Sequence, residues 1–310
     1  MWDSLDPRSS DIGERDTRDR SRDVRDPRND AWLDPRDALS KGLDLPRGVE
    51  RERVYVDEER YDLRGSETRT LATVGAFRVV PLDDLRDPRD RSDESGRGDL
   101  SRLRSAGLVR AIAPLDREDR RTTLVTLTER GRTLLETHRT RDHEPRQQFY
   151  AGVGRSRELS HDAHFYRAYL RVAERLARDG ARVHRVTLDH ELKREYQQFL
   201  QERNRDRPDS DGRPDRTREE IAQWAHAHDL SVLDDHVRFP DLRLEYEWPD
   251  GRREIENVEV TTLHYRGAHA LGKARAGFTR YRAGGGRVGG RSSRRGARPF
   301  DPGIAEEYLS

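Results

Sequence analysis

Two carboxylates and one lysine stand on consecutive elements in the C-terminal third of the chain. Asp241 follows Pro240 at the start of an alternating strand, and Glu259 lies on the strand that returns after the turn Pro249–Gly251. Lys273 lies on the element after that. Carboxylates on neighbouring strands can hold Mg²⁺, and a lysine can orient water or stabilise charge on a phosphoryl group. One hypothesis is therefore a phosphate-processing metal site with Asp241 and Glu259 as ligands and all three residues as catalytic groups.

The same residues also have simpler explanations. An aspartate between a proline and a strand is common turn chemistry, and a glutamate on a strand is usually solvated. The histidines have no convincing metal-ligand spacing, because His226 and His228 would point apart on a helix. Two alternatives therefore stand beside the catalytic hypothesis. The domain could have the same fold and serve only for binding, or it could be an unrelated α/β domain.

A second set of candidate residues is basic and hydroxyl-bearing. The segment Asp99–Ala106 predicts a helix with two leucines on one face and polar side chains on the others. The polar candidates on this helix are Ser101, Arg102 and Arg104. A turn further along the chain adds Arg117, Arg120 and Arg121. Because arginine makes forked contacts to guanine and phosphate, we expect the helix to contact bases in the major groove and the turn to contact the DNA backbone.

The elements around these arginines predict a helix-turn-helix with a wing. In chain order they are a helix after Ser66 as its N-cap, a short helix at Pro81–Leu85, the helix Asp99–Ala106, strands Leu108–Leu115 and Thr122–Leu127, and a helix capped by Thr128. A polar loop over residues 86–98 separates the second and third helices. This order, three helices, a hairpin and a last helix, would position one amphipathic helix for the groove.

The passage Gly98–Arg139 resembles the winged helix-turn-helix of MarR-type regulators. The resemblance depends on Leu103, on Ala106–Arg110, on the turn Asp116–Arg121 and on the phrase Leu127–Arg132. It implies a double-stranded-DNA-binding domain, and homodimers are typical of such regulators because their sites are often palindromic. The long charged loop before the third helix departs from the family pattern.

The C-terminal elements predict a mixed α/β domain. They are helix Asp162–Asp179, strand Arg182–Leu188, helices Glu191–Glu202 and Arg218–His228, strands Phe239–Trp248 and Arg253–Thr262, and helix Ala268–Tyr281. The domain resembles the restriction-endonuclease-like fold, whose members carry an aspartate at the start of one hairpin strand and Glu-x-Lys on the next. Here Glu259 is followed two residues later by Thr261, so the lysine is missing there and Lys273 would have to supply it.

The combination of the two domains is similar to the replication-relaxation family of plasmid and integrative-element proteins. The matching positions are Asp241, Glu259, Lys273 and Tyr281, and Thr261 departs from the pattern. The resemblance implies DNA binding connected with the replication or transfer of mobile elements, and it leaves catalysis open.

Composition predicts that parts of the chain are unpacked. Hydrophobic residues make up 32% and charged residues 39% of the 310 residues, there is no cysteine, and only Lys41, Lys193 and Lys273 among 61 basic residues are lysines. Disulfides and a cysteine-ligated zinc are therefore excluded. The domains expected are a disordered charged tail over 1–60, the winged helix over 61–140, a linker over 141–157, the α/β domain over 158–282 and a flexible Gly/Arg-rich tail over 283–310.

The resulting expectation is an α+β, cytoplasmic, double-stranded-DNA-binding protein that acts as a regulator or as a replication/transfer accessory. We expect it to bind DNA without a cofactor. No apolar run indicates a signal peptide or a membrane span, so no membrane partner is expected. The alternative is a Mg²⁺-dependent endonuclease targeted by its winged helix, and a third interpretation is a winged helix used only for protein contacts.

Overall fold

The computed structural model describes residues 34–85, 93–112, 123–140, 146–153, 159–204, 216–261 and 276–283, without the side chains of residues 93–97 and 160. Its helices are α1 Asp37–Ser40, α2 Gly65–Phe77, α3 Asp93–Ser105, α4 Glu129–Thr137, α5 Leu159–Asp162, α6 Phe165–Arg178, α7 Asp189–Gln201 and α8 Arg218–Ala227, with 3-10 turns at Leu82–Leu85 and Glu202–Asn204. Its strands are β1 Glu52–Val56, β2 Glu59–Leu63, β3 Val80–Pro81, β4 Val109–Ile112, β5 Leu124–Leu127, β6 Arg182–Leu188, β7 Val232–Leu233, β8 His236–Val237, β9 Leu242–Glu247, β10 Arg253–Thr261 and β11 Thr279–Arg282. The chain is thus a mixed α+β protein, as predicted.

The disordered tail predicted over residues 1–60 was wrong for residues 34–60, which form α1 and most of the β1–β2 hairpin. The hairpin turns through Asp57 and Glu58, both at positive φ, a geometry that matches the twist of two-residue hairpins. Alternate residues such as Val54 and Tyr61 are buried, while those between them are exposed. A few apolar side chains at a spacing of two are enough because the hairpin packs on α4 rather than standing alone.

The predicted winged-helix segment folds as α2, a 3-10 turn, α3, the β4–β5 pair and α4. β3 joins the pair, so the small antiparallel sheet has the order β3-β5-β4. The predicted cap of α4 is confirmed, since the Thr128 hydroxyl accepts the Gly131 N–H at 3.1 Å. Gly131 is required by close packing, because a Cβ there would lie 2.2 Å from the Leu108 carbonyl oxygen. α3 begins at Asp93, so part of the loop predicted over residues 86–98 is helical.

The C-terminal elements form a four-stranded sheet of order β11-β10-β9-β6. β9 is antiparallel to both of its neighbours, and β11 is parallel to β10. One face is apolar and packs against α6, and the other carries polar side chains. The helix predicted over Ala268–Tyr281 was wrong at its end, because Thr279–Arg282 is a strand and Tyr281 lies opposite Val260. Pairing with β10 overrode the local helical spacing there. Residues 268–275, Lys273 among them, lie outside the described residues.

One hydrophobic core joins the two regions. The Phe77 ring of α2 lies 5.4 Å from the ring of Tyr166 and 5.1 Å from that of Tyr169, both on α6. Within the predicted linker 141–157, Phe149 is buried and the Tyr150 N–H donates to the Gly75 carbonyl at 2.8 Å. The described part of that linker, residues 146–153, is therefore packed structure. Within the described ranges no helix combines the length and apolar composition needed to cross a membrane.

Candidate nucleic-acid interface and acidic site

The third helix presents a polar face to solvent. Leu100 and Leu103 are buried on its inner side. The outer side is formed by Ser101, Arg102, Arg104 and Ser105, all exposed, and these four residues are called the α3 face below. Gly107, at a φ of 69°, ends the helical segment and turns the chain into β4. The helix therefore has the anchored inner side and polar outer side that the sequence predicted.

A buried charge network fixes α3 against the start of α2. Asp99 is only 4% exposed, and it accepts hydrogen bonds from Arg64 Nε at 2.9 Å and from Ser66 Oγ at 2.5 Å. Glu67 accepts the Arg64 backbone N–H and is paired with Arg51 at 2.6 Å. Ser66 is thus not the N-cap that was predicted, because α2 already begins at Gly65. Its hydroxyl instead holds the inner side of α3.

The two arginines of the α3 face differ from most of the arginines that the structure describes. Neither the Arg102 nor the Arg104 side chain forms a hydrogen bond or ion pair with another described residue, whereas Arg51, Arg64 and many others are paired with acids. An exposed guanidinium without an internal partner keeps its donors for a ligand. The wing arginines predicted to contact backbone phosphates, Arg117, Arg120 and Arg121, lie outside the described residues.

Asp241 and Glu259 are brought together at one end of the sheet, and they are called the acidic site below. Leu242 pairs with Val258 at the end of the β9–β10 ladder, and Asp241 and Glu259 are the next residues outward along the two chain segments. Both are buried, at 6% and 2% exposure. Asp241 Oδ2 accepts the backbone N–H of Val260 at 2.8 Å, which holds its carboxylate against β10. Asp241 and Glu259 are therefore both buried at the same end of the sheet.

His161 joins this site, and sequence reasoning missed it. The helix predicted over Asp162–Asp179 begins at Phe165 as α6, and the short helix α5 before it brings His161 Nε2 to 3.4 Å from Asp241 Oδ2. Burial acts to lower the pKa of His161, but the hydrogen bond and charge of Asp241, with the charges of Asp162 and Glu259, raise it above the ordinary value. No spacing signal could have found this contact, because it joins residues that are far apart in sequence.

A neighbour of the acidic site is paired with a residue of the predicted winged-helix segment. Arg78, at the end of α2, lies 3.7 Å from Asp162, the residue beside His161. Arg78 has a positive φ of 63°, unusual for a residue other than glycine. On the other side, the Asp189 N–H donates to the Asp241 carbonyl at 3.2 Å. The Val260 and Asp189 N–H groups therefore both donate to Asp241, one to its side chain and one to its carbonyl.

As a metal site, the described residues supply two carboxylates. Mg²⁺ is commonly bound through one or two carboxylates, with waters and substrate phosphates completing its shell, so the donor chemistry of Asp241 and Glu259 fits. In the part of the chain that the structure describes, no three His, Asp or Glu side chains converge as a metal-ligand group. Thr261 stands where a Glu-x-Lys pattern has lysine, and its hydroxyl donates to the Tyr281 carbonyl at 3.2 Å.

Comparisons with known proteins returned no match among protein-family models, curated proteins or solved structures.

Proposed function

We propose that this protein binds double-stranded DNA through the α3 face. The observation that carries the proposal is a helix whose leucines are buried and whose exposed Ser101, Arg102 and Arg104 have no described internal partner. A helix of this kind can enter the major groove, where arginine donates to guanine and serine accepts or donates to several bases.

The neighbouring elements support this proposal. α3 follows α2 and a 3-10 turn and precedes a strand pair and a last helix, which is the order expected of a winged helix-turn-helix. The buried Asp99 contacts hold the helix at a fixed angle, so its side chains need little reordering on binding. An interface used only for proteins would more often carry aromatic anchors, and serine is depleted in such interfaces.

The net charge of the chain places a condition on this proposal. The net charge is only +1, so attraction to DNA must come from a local patch rather than from the whole chain. Arginines that contact phosphates release condensed counterions, and each contact lowers the slope of log K against log salt concentration by about 0.9. Salt dependence is therefore the signature to measure.

The test compares Arg102→Ala plus Arg104→Ala with Arg53→Ala, which removes an exposed arginine from β1. Binding to labelled duplex DNA is measured by fluorescence anisotropy between about 50 and 200 mM salt. The double variant should bind at least about tenfold more weakly with a shallower salt slope, and Arg53→Ala should match the wild type. Equal binding by all three proteins would reject the α3 face as the DNA-binding surface.

A second candidate function is Mg²⁺-dependent cleavage of the bound DNA, and the burial of Asp241 and Glu259 at the same end of the sheet favours it. The two carboxylates would hold the ion, which supplies polarisation of a phosphoryl oxygen and a more acidic bound water. The chain's own residues fix the carboxylates: the Val260 N–H orients Asp241, and His161 lies within reach of the same oxygen. Glu259→Gln should abolish Mg²⁺-dependent nicking on a denaturing gel and leave duplex binding intact. Equal products with and without Mg²⁺ in the wild type would reject catalysis.

The biological role we propose is that of a cytoplasmic regulator, or a replication or transfer accessory, of a mobile element. This role depends on the resemblance of Asp241, Glu259 and Lys273 to the replication-relaxation pattern. Tyr281 lies on the strand β11 and not on the lysine-tyrosine helix of that pattern. A homodimer on a palindromic site suits such a role, and sedimentation of the protein with a selected DNA site would test it.

A further inference from the structure

The edge strand β11 carries two arginines beside the acidic site. Glu259 pairs in register with Arg280, and Thr261 with Arg282. Residues in register on neighbouring strands share a face, so both arginines lie on the sheet face that carries Glu259 and Thr261. Tyr281, between them, is buried on the opposite face with the Arg171 guanidinium 4.9 Å from its ring centre. The alternation therefore fixes the side on which the two arginines emerge.

Their environment differs from that of three other arginines on this sheet face. Arg185 is paired with Glu191, Arg253 is paired with Glu247, and Arg243 is buried and donates to Asn257. Arg280 and Arg282 are exposed, and neither side chain forms a hydrogen bond or ion pair with another described residue. Their guanidinium donors face solvent at one end of a strand that is last in the sheet.

We infer that Arg280 and Arg282 bind backbone phosphates of a nucleic acid laid along the β11 edge, next to the acidic site; the inference rests on the proposed DNA binding and extends it to a second surface. Two side chains two residues apart on a strand are separated by about 6.6 Å, close to the spacing of successive phosphates along one strand. Arginine is suited to this ligand because its planar fork donates to two phosphate oxygens at once.

Electrostatics explains why two arginines are needed beside the acidic site. A phosphodiester backbone that approaches the buried Asp241 and Glu259 meets negative charge, which repels it. Two guanidinium groups on the neighbouring strand offset that repulsion where the backbone would pass. The exposed arginines beside the buried acids therefore allow DNA to approach a site whose negative charge would otherwise repel it.

The test uses Arg280→Ala plus Arg282→Ala in the full chain, with Arg182→Ala as the matched control. Arg182 is also exposed, lies on β6 at the other edge of the same sheet, and stands opposite Glu247, at the end away from Asp241. Duplex binding is measured across a salt series. We expect the slope of log K against log salt to become less negative by about 1.8 in the double variant, from two lost phosphate contacts, and to be unchanged in Arg182→Ala. The double Lys variant should keep most of the slope, which separates lost charge from lost fold.

The outcomes distinguish this inference from the proposed function. If the wild type binds, Arg102→Ala plus Arg104→Ala weakens binding and the β11 variant keeps the full slope, the inference is overturned and the α3 proposal stands. If the β11 variant loses slope while the α3 variant binds normally, the inference is supported and the α3 proposal fails. A wild type that does not bind duplex DNA overturns both.

Discussion

The α3 face and the acidic site place opposite charges in opposite environments. The arginines of the α3 face are exposed and project from the outer side of a helix, whereas Asp241 and Glu259 are buried and held by β9 and β10. An exposed charge contributes when a ligand arrives and displaces counterions. A buried charge has already been desolvated on folding, so its geometry is set before any ligand binds. Substitutions on the α3 face should therefore change binding, and those in the acidic site should change stability as well.

The largest expected effect tests whether the region of the α3 face and the region of the acidic site unfold independently. Phe77 is fully buried and packs on two tyrosines of α6, so Phe77→Ala should lower the free energy of unfolding by about 3–5 kcal/mol. Because one core joins the regions, circular dichroism and tryptophan fluorescence should report the same unfolding midpoint in urea.

Leu82→Ala is the control for this prediction, since Leu82 belongs to the same region and is 37% exposed. Its cost should be clearly smaller. Two separate transitions in the Phe77 variant would show that the regions unfold independently despite their contact.

The next effect tests whether the fixed position of α3 or the local charge controls DNA binding. Asp99→Ala removes the acceptor of Arg64 and Ser66, and should cost about 1–3 kcal/mol in unfolding free energy. Charge alone predicts stronger DNA binding, because a negative group beside the α3 face is lost. We expect weaker binding at unchanged salt slope, since α3 loses its fixed angle. Stronger binding in the anisotropy assay would mean that charge, and not the position of α3, dominates.

In the acidic site, Asp241→Ala leaves the buried Val260 N–H without its acceptor. We expect a loss of roughly 1–2 kcal/mol in a urea titration, and a smaller loss for Asp241→Asn, whose amide oxygen can still accept that hydrogen bond. Equal losses in the two variants would indicate that the charge of Asp241, rather than this hydrogen bond, stabilises the fold.

The smallest effect concerns pH. Burial, followed by the charge of Arg78, lowers the pKa of His190 to about 4 from 6.5. Between these two pH values the unfolded chain binds a proton at His190 and the folded protein does not. The free energy of unfolding therefore decreases as pH falls from 6.5 toward 4. His190→Gln should reduce the fall in the urea midpoint between about pH 6.5 and 5. His226→Gln, an exposed histidine on α8, should not. Parallel curves for wild type and His190→Gln would contradict this prediction.

Much of the local structure was accessible from sequence. Strand Arg182–Leu188 and the turn before β10 follow from alternation and from Pro249–Gly251, and the cap at Thr128 follows from its side-chain chemistry. The burial of Leu100 and Leu103 followed from helical spacing. These features depend on neighbours within a few residues, which is why a single sequence predicts them.

The elements that sequence misassigned depend on distant partners. Residues 34–60 appear too charged to fold, yet α1 packs on α2 and the β1–β2 hairpin packs on α4. The segment that ends at Tyr281 has helical spacing, yet it pairs with β10 as a strand. In both places a long-range contact outweighs local preference.

The sequence by itself therefore determined the types of charge and the elements that carry them: an Arg/Ser helix and two acids on consecutive strands. Tertiary structure alone decided which charges became neutralised partners and which stayed exposed. It paired Asp99 with Arg64, brought His161 to Asp241, and placed Arg280 and Arg282 next to Glu259. The physical reason is that burial and pairing are set by chain segments far apart in sequence, and in a chain that is 39% charged the same residue type occurs in every environment.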